Sequence, residues 1–335
     1  MIVELINTGS ELMLGRVLNT HQQWLCRRLA DLGYAVTRQV AVADTGRDIE
    51  QAAREALARA DLVIATGGLG PTSDDLTRDL IAQLLGKPLR EDAAIVAHIE
   101  QFFTTRKRPM PARTRVQALV PEGALVLVNN HGTAPGLALE VRPNPFRADT
   151  RASWLVMLPG PPRELRPMFD EVVVPLLRRV LPPESEFVCR TLRTTGVGES
   201  IVQERIGERL RRLVESGLDL GYCAHIGQVD VRLAARGANA RQLVREAESI
   251  VREQLDPHTF GEEDEELEAV IVRLLTGRKQ TLALAESCTG GLMADRLTNV
   301  PGASVVFLAS LVTYSNEAKQ KFLGVRPETL ANTAP

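Results

Sequence analysis

The feature that most constrains this chain is the alternation of short apolar runs with helix-length amphipathic segments over its first hundred residues. IVELINT at 2–8 is strand-like. In THQQWLCRRLADL at 20–32, Trp24, Leu25, Leu29 and Leu32 fall at helical spacing, and Gly33 stops the pattern. A second strand is expected over 34–42, a helix over about 47–60 (RDIEQAAREALARA), and then DLVIAT at 61–66. A run as apolar as DLVIAT has no face to offer water, so it belongs inside a sheet covered on both sides. Strands separated by helices return to the same sheet in parallel. The expectation is therefore an α/β domain with a parallel sheet between two helical layers. Helices near 75–85 and 92–104 follow, with apolar runs at 116–128, 137–141 and 154–158. Residues 142–153 lack periodicity and are expected to form a surface hairpin or loop. A helix after Pro161 and Pro162 would close the domain near 180.

Pro182 and Pro183 begin a plausible linker. Beyond them, strands at 187–195, 218–224 and 228–234 and helices near 199–215 and 239–254 predict a small α+β module. The acidic run GEEDEEL at 261–267 reads as the solvated start of a helix, where the dipole favours Glu and Asp. The last segment shows helix, strand (281–285), helix (289–298), strand (304–313) and a short helix, ending at Ala334-Pro335 with no further strand. A length of 335 residues suits two or three such domains. With 40 Lys plus Arg against 42 Asp plus Glu, the charge offers no general attraction to nucleic acid or to an anionic membrane. Four scattered cysteines form no C-x-x-C pair, and no apolar stretch approaches a membrane span, so a cytoplasmic protein with no membrane or nucleic-acid partner is expected.

The chemistry concentrates in TGGLGPTSDDLTRD at 66–79, directly after the buried strand. Open α/β sheets bind ligands beyond the carboxyl ends of their strands. Gly67, Gly68 and Gly70 would let backbone N–H groups approach a phosphate closely, with the Thr72 N–H beyond Pro71 as a further donor, and a helix starting near Asp75 would add its dipole. Asp74 and Asp75, beside the hydroxyls of Thr72 and Ser73, are hard oxygen ligands suited to Mg²⁺. The bland alternative is a glycine-rich turn with an Asp capping a helix. Neither G-x-x-x-x-G-K-[ST] nor G-x-G-x-x-G occurs, which argues against a P-loop NTPase and a dinucleotide dehydrogenase. Other polar clusters sit at comparable strand ends: Thr8-Gly9-Ser10-Glu11, Asp44, Gly132-Thr133-Ala134-Pro135-Gly136, and Leu158-Pro159-Gly160-Pro161-Pro162-Arg163-Glu164. Singly each is an ordinary turn; converging on one sheet edge they would make a cleft, with Asp44 and Asp75 as metal ligands or general bases. His21 and His131 are weaker candidates.

Taken together, TGSELMLG at 8–15, VAD at 42–44, TGGLGPTSDDLTRD, GTAPG at 132–136 and LPGPPREL at 158–165 resemble the CinA family of competence/damage-inducible proteins. The resemblance implies a three-layer, molybdopterin-binding-like domain over 1–180 acting as a metal-dependent ADP-ribose pyrophosphatase. A small α+β, KH-like domain over 181–260 and an α/β deamidase-like domain over 261–335 would follow. It implies a nucleotide substrate, a divalent cation (Mg²⁺ or Co²⁺) with K⁺ as an accompanying ion, and a homodimer. Implied substrate contacts are Glu11, Asn19, Gly67, Gly68, Gly70, Pro71, Thr72, Gly132, Thr133, Gly136, Gly160 and Pro161. Catalysis falls to Asp44 and Asp75, and metal binding to Asp74 and Asp75. His21 departs from the family, which usually has Asn there.

The last segment resembles the family's nicotinamide mononucleotide deamidase through AESCTGG at 285–291 and VTYSNEAK at 312–319. A serine between a strand and a Gly-rich helix start can act as an amidase nucleophile, its developing charge eased by helical N–H groups. Such a serine needs a base, and a lysine whose pKa is lowered by burial can supply one. The resemblance assigns Ser287 as nucleophile, with Tyr314 and Lys319 as proton-transfer partners. This domain looks half-length for the family, so the expectation is a truncated deamidase that is inactive or depends on a partner. Two further readings stay open: a module that binds molybdopterin or a nucleotide without hydrolysis, and residual amidohydrolase activity. No Nudix-type acidic helix occurs, so a pyrophosphatase here needs another architecture.

Overall fold

The computed structural model describes residues 1–183 and 185–332, in two units, Met1–Phe187 and Val188–Pro335. The first unit runs β1 (Val3–Thr8), α1 (Ser10–Met13), α2 (Thr20–Asp31), β2 (Val36–Val42), α3 (Gly46–Leu57), β3 (Leu62–Thr66), α4 (Thr77–Leu84), β4 (Leu89–Glu91), α5 (Ala93–Thr105), a 3-10 segment (Ala112–Ala118), β5 (Leu119–Pro121), β6 (Leu125–Leu127), β7 (Gly136–Val141), β8 (Ser153–Leu158), α6 (Pro162–Met168) and α7 (Val174–Val180).

Its main sheet has the order β2-β1-β3-β8-β7-β6. β1 runs parallel to β2 and β3, and β3 parallel to β8. β7 is antiparallel to both β8 and β6, so the sheet is mixed rather than all parallel. The reason is connection length: a parallel return needs a crossover of roughly a dozen residues or more, usually a helix, and no helix lies between β6 and β7 or between β7 and β8. The apolar run at 116–128 likewise splits, because β5 pairs with β4 in a separate ribbon while β6 joins the main sheet.

Burial alternates along the central strands. Leu62 and Ile64 face α2, α6 and α7 through Leu25, Leu29, Leu165, Phe169 and Leu177. Val63 and Ala65 face α3, α4 and α5 through Ala53, Leu57, Ile81, Ile95 and Ile99. This two-sided burial is why the strand interior LVIA at 62–65 carries no polar residue, each large apolar side chain contributing about 1.5–3 kcal/mol. Trp24 meets Phe169 edge to face at 5.5 Å, tying α2 to the segment between α6 and α7.

The 142–153 segment is a loop, as expected, but not a purely surface one. Asn144 and Ser153 are fully buried and Arg147 nearly so. Asn144 Nδ2 donates to the Leu57 carbonyl and to Ser153 Oγ, both at 2.8 Å, and its Oδ1 accepts from the Phe146 N–H. Arg147 donates to the Ala60 carbonyl and to Asp61. The loop therefore satisfies carbonyls at the end of α3 and just beyond it.

In the second unit β9 (Phe187–Thr195), α8 (Glu199–Glu215), β10 (Leu218–His225), β11 (Gln228–Arg236), α9 (Ala240–Leu255) and β12 (Thr259–Glu262) give a sheet of order β10-β11-β9-β12 with α8 and α9 sharing its core. The strand β12 is absent from the sequence expectation. It takes up the start of the acidic run, whose carboxylates are not simply solvated: Glu262 pairs with Arg252, Glu265 with Arg273 and Glu266 with Arg193. Next come α10 (Leu267–Arg278), β13 (Leu282–Glu286), α11 (Leu292–Thr298), β14 (Phe307–Val312), α12 (Asn316–Leu323) and α13 (Pro327–Asn332), with β13 and β14 parallel. The expected chain end at Ala334-Pro335 lies outside the described residues. No helix among the described residues is long and apolar enough to cross a membrane.

Both tryptophans, Trp24 and Trp154, lie in the first unit, so their fluorescence follows its unfolding. Asn144→Ala removes three buried hydrogen bonds and is expected to lower stability by about 2–4 kcal/mol in urea titrations read this way. A change within about 0.5 kcal/mol would show the loop to be dispensable.

Candidate functional site

Because β1, β2, β3 and β8 run parallel, the loops leaving their carboxyl ends meet along one sheet edge. They enclose a cleft of about 390 Å³, within the range of a small-molecule site. Its lining includes eleven of the expected site residues: Glu11, Asp44, Gly67, Gly68, Gly70, Pro71, Asp74, Asp75, Thr133, Gly160 and Pro161.

The glycine turn works by lacking side chains. A Cβ on Gly67 would sit 2.6 Å from Thr8 Oγ1, and one on Gly68 would sit 2.1 Å from Thr77 Oγ1. Both residues also have positive φ, at 95° and 66°. The turn can thus press β1 and the start of α4 together, with the Thr77 N–H donating to the Gly68 carbonyl at 3.1 Å. Among the described residues no protein hydrogen bond uses the N–H of Gly68, Leu69 or Gly70, which leaves three adjacent donors at the cleft.

Asp75 neither starts nor caps α4, contrary to expectation. The helix begins at Thr77 after Leu76, without a side-chain cap. The Asp75 carboxylate instead folds back to accept from the Thr72 N–H at 2.8 Å and the Thr72 hydroxyl at 2.5 Å. Gly70 makes room for it, since a Cβ there would lie 2.4 Å from Asp75 Oδ2. Across the cleft Asp44 accepts from the Ser10 N–H at 2.7 Å while its own N–H donates to Ser10 Oγ at 3.1 Å.

Among the described residues five carboxylates line the cleft, those of Glu11, Asp44, Asp74, Asp75 and Glu164, and no Lys, Arg or His side chain does. Among the described residues no group of three His, Cys, Asp or Glu side chains is placed to hold a metal ion. A pair of neighbouring carboxylates such as Asp74 and Asp75 is the kind of partial donor set that Mg²⁺ uses when a substrate phosphate completes its shell.

Four expected contacts lie elsewhere. Asn19 caps α2, accepting from the Gln22 N–H at 3.1 Å. Thr72 is spent on Asp75. Gly136 belongs to the core, where a Cβ would strike Met168 Sδ at 2.6 Å. Gly132 backs onto Glu164, where a Cβ would lie 1.9 Å from Oε2. Of the two histidines, His21 stands beside Gly160, and burial pushes its pKa down, with Arg166 adding to the effect. His131 is exposed. Sequence reasoning missed Gln117 as a lining residue and named Glu164 only within a strand-end cluster. Glu164 was legible in LPGPPREL, at the end of a strand; it accepts from Asn129 Nδ2 at 2.8 Å, and that amide also holds the Ala134 carbonyl. No motif marks Gln117.

In the second unit Ser287 follows β13 and Tyr314 follows β14. The Thr313 N–H donates to the Glu286 carbonyl at 2.9 Å, so both residues leave the same edge of adjacent strands. Lys319 Nζ donates to the Tyr314 carbonyl at 2.7 Å, and Tyr314 is 78% exposed. The helical N–H groups expected to ease charge on Ser287 are already occupied. Glu286 Oε2 accepts from the N–H groups of Gly291 and Met293, and Oε1 accepts from the Ala294 N–H and the Ser310 hydroxyl. Burial pushes the Glu286 carboxyl up, but the Met293 and Ala294 N–H groups and the Thr289 and Ser310 hydroxyls outweigh it and hold the pKa below its ordinary 4.5.

A carboxyl depressed by folding stabilises above its unfolded pKa and loses that contribution as the pH falls through the folded value. Hydrogen-exchange protection of the 291, 293 and 294 amides is therefore expected to hold above pH 4.5 and decline below it. Glu286→Gln should lower protection throughout and remove the pH step. Identical profiles for both proteins would contradict the capping role.

Family models match nearly the whole chain: "Probable molybdopterin binding domain" over residues 4–179, "Damage-inducible protein CinA KH domain" over 189–261 and "CinA C-terminal domain" over 264–334. A "Putative competence-damage inducible protein" of Moorella thermoacetica is 43% identical over 334 residues, covering 99% of this chain and 78% of the relative. A "CinA-like protein" of Gemmatimonas aurantiaca is 39% identical over 336 residues, covering 99% and 76%. The crystal structure of a CinA protein of unknown function from Thermoplasma acidophilum matches 52% of this chain and 97% of its own at 30% identity, with a TM-score of 0.45. With a molybdopterin-binding-like α/β domain, a KH-like domain and a C-terminal CinA domain in that order, this chain belongs to the CinA family.

Proposed function

We propose that the first unit is a metal-dependent pyrophosphatase that hydrolyses ADP-ribose to AMP and ribose 5-phosphate. One observation carries the reading: three adjacent N–H groups that no protein acceptor takes, those of Gly68, Leu69 and Gly70, belong to residues lining a cleft with five carboxylates and, among the described residues, no basic side chain. Such a cleft repels a bare polyanion and suits one that arrives with its own cation.

In this reading the N–H groups of Gly68 to Gly70 hold one phosphate as a backbone nest. Asp74 and Asp75 would hold the cation, Asp75 being kept in place by Thr72. When bound, Mg²⁺ or Co²⁺ supplies charge neutralisation at the phosphates and lowers the pKa of water. Asp44, oriented by Ser10, accepts the proton of the attacking water. The water oxygen bonds to one phosphorus, the bridging P–O bond breaks, and the second phosphate leaves with the bond's electrons. The family resemblance also carries a homodimer, which sedimentation of the purified chain decides.

Incubating the 335-residue protein with ADP-ribose and Mg²⁺ or Co²⁺ should release AMP. Asp75→Asn and Asp44→Asn should each lower kcat by about a hundredfold or more, with melting temperature retained. Tight nucleotide or pterin binding without turnover would favour a binding module instead, and full activity in Asp75→Asn would remove the assigned site.

A second reading concerns the last segment. The exit of Ser287 and Tyr314 from adjacent strand ends is compatible with the family's deamidation of nicotinamide mononucleotide, with Ser287 as nucleophile and Tyr314 and Lys319 as proton carriers. Because Glu286 consumes the N–H groups at the start of α11, we read this chain as lacking that activity. Ammonia release from nicotinamide mononucleotide that is lost in Ser287→Ala would overturn this.

A further inference from the structure

Away from the cleft, the first unit has a second concave surface along the edge of its sheet. β2 is the outer strand of the main sheet, and between it and α3 lies a groove of about 460 Å³. Val40, Val42 and Ala52 give the groove an apolar wall, and Met13 lines it as well. Two of its charged side chains satisfy each other, Arg59 donating to both carboxylate oxygens of Glu4 at 2.9 and 3.0 Å. Two others do not. Asp48 and Glu55 are exposed and bond to the neutral side chains of Thr45 and Gln51. The neighbouring guanidinium groups of Arg54 and Arg59 are engaged by Glu50 and Glu4, so among the described residues no ion pair uses Asp48 or Glu55.

The same surface carries the complement of this groove. Met13 opens the run Met13-Leu14-Gly15-Arg16-Val17-Leu18. Leu14 and Leu18 are 73% and 84% exposed, and Met13 and Val17 are more than half exposed. Four large apolar side chains left in water this close together mark a contact surface. Arg16 is exposed among them, and among the described residues no ion pair uses it. The run follows α1, none of whose residues is buried, so its own chain supplies no cover. Run and groove meet at Met13, which belongs to both. A two-fold axis near that residue therefore lays the run of each copy along the groove of the other, with Leu14, Val17 and Leu18 against the apolar wall and Arg16 against Asp48 and Glu55. We propose that a second copy of this chain docks here, the 13–18 run of each copy seated between β2 and α3 of its partner. This names the face of the homodimer proposed above and rests on that homodimer. Because α1 carries Ser10, which holds Asp44, and Glu11, which lines the cleft, the pairing braces one wall of the cleft.

Sedimentation equilibrium of the full 335-residue chain tests the face. The wild type should be a dimer at micromolar concentration. Leu14→Asp combined with Leu18→Asp places two charges in the contact and should weaken association at least about a hundredfold, while unfolding of the first unit, followed by tryptophan fluorescence, stays cooperative. Arg16→Glu should weaken association about tenfold, and adding Glu55→Arg should restore it to within about threefold of the wild type. A monomeric wild type overturns the homodimer and this face together. A dimer unmoved by the two Asp substitutions pairs through another surface and overturns this face alone, as does an Arg16→Glu defect that Glu55→Arg leaves unrelieved. Loss of cooperative unfolding in the doubly substituted chain shows the run packing on its own chain, which also overturns the face. None of these readouts depends on turnover, so a failure to hydrolyse ADP-ribose leaves the assignment standing.

Discussion

No side chain can stand at Gly67 or Gly68, and the geometry of the cleft depends on that exclusion. Their missing Cβ atoms let Thr8 of β1 and Thr77 of α4 close on the turn, while the Gly67 N–H donates to the Leu158 carbonyl of β8 at 3.0 Å. One bare turn so holds three strand ends and a helix in register. The consequences are chemical as well as steric. A backbone pressed this closely cannot fold its next N–H groups into a helix or a ladder, and those of Gly68, Leu69 and Gly70, in residues that line the cleft, find no protein acceptor.

Charge then decides what such a cleft can accept. The backbone donors call for an anion, whereas five carboxylates without a basic side chain oppose one. These demands are reconciled when the anion carries a cation, which is the manner in which Mg²⁺ meets nucleotide phosphates. The carboxylates are not equivalent. Asp75 and Asp44 are fixed by bonds from Thr72 and Ser10, and Glu164 is fixed by Asn129, so the acidic wall is preorganised. In the second unit the same logic runs the other way. There Glu286 itself neutralises the N–H groups at the start of α11, and a motif that reads as an anion-stabilising turn is self-satisfied.

Much of this was legible in residue order. The two-faced burial of DLVIAT, the helical spacing of Leu25 and Leu29 and the convergence of strand-end polar clusters follow from periodicity and from the parallel strands. What was not legible depended on contacts distant in sequence. The direction of β7 follows from the absence of a helix before β8, not from its own composition. Asp75 looks like a helix cap in sequence but turns back to Thr72. Gly136 opens β7 and Asn19 precedes α2, where they serve the core and a helix end. Gln117 carries no motif, and its place in the cleft wall arises only from the fold around it.

The central claim, that the cleft holds a nucleotide diphosphate by backbone donors only when a cation balances the acidic wall, is tested most directly by measuring ADP-ribose affinity with and without divalent metal. The account predicts binding in Mg²⁺ that weakens by at least about a hundredfold in chelator. Equal affinity in the two conditions would contradict it.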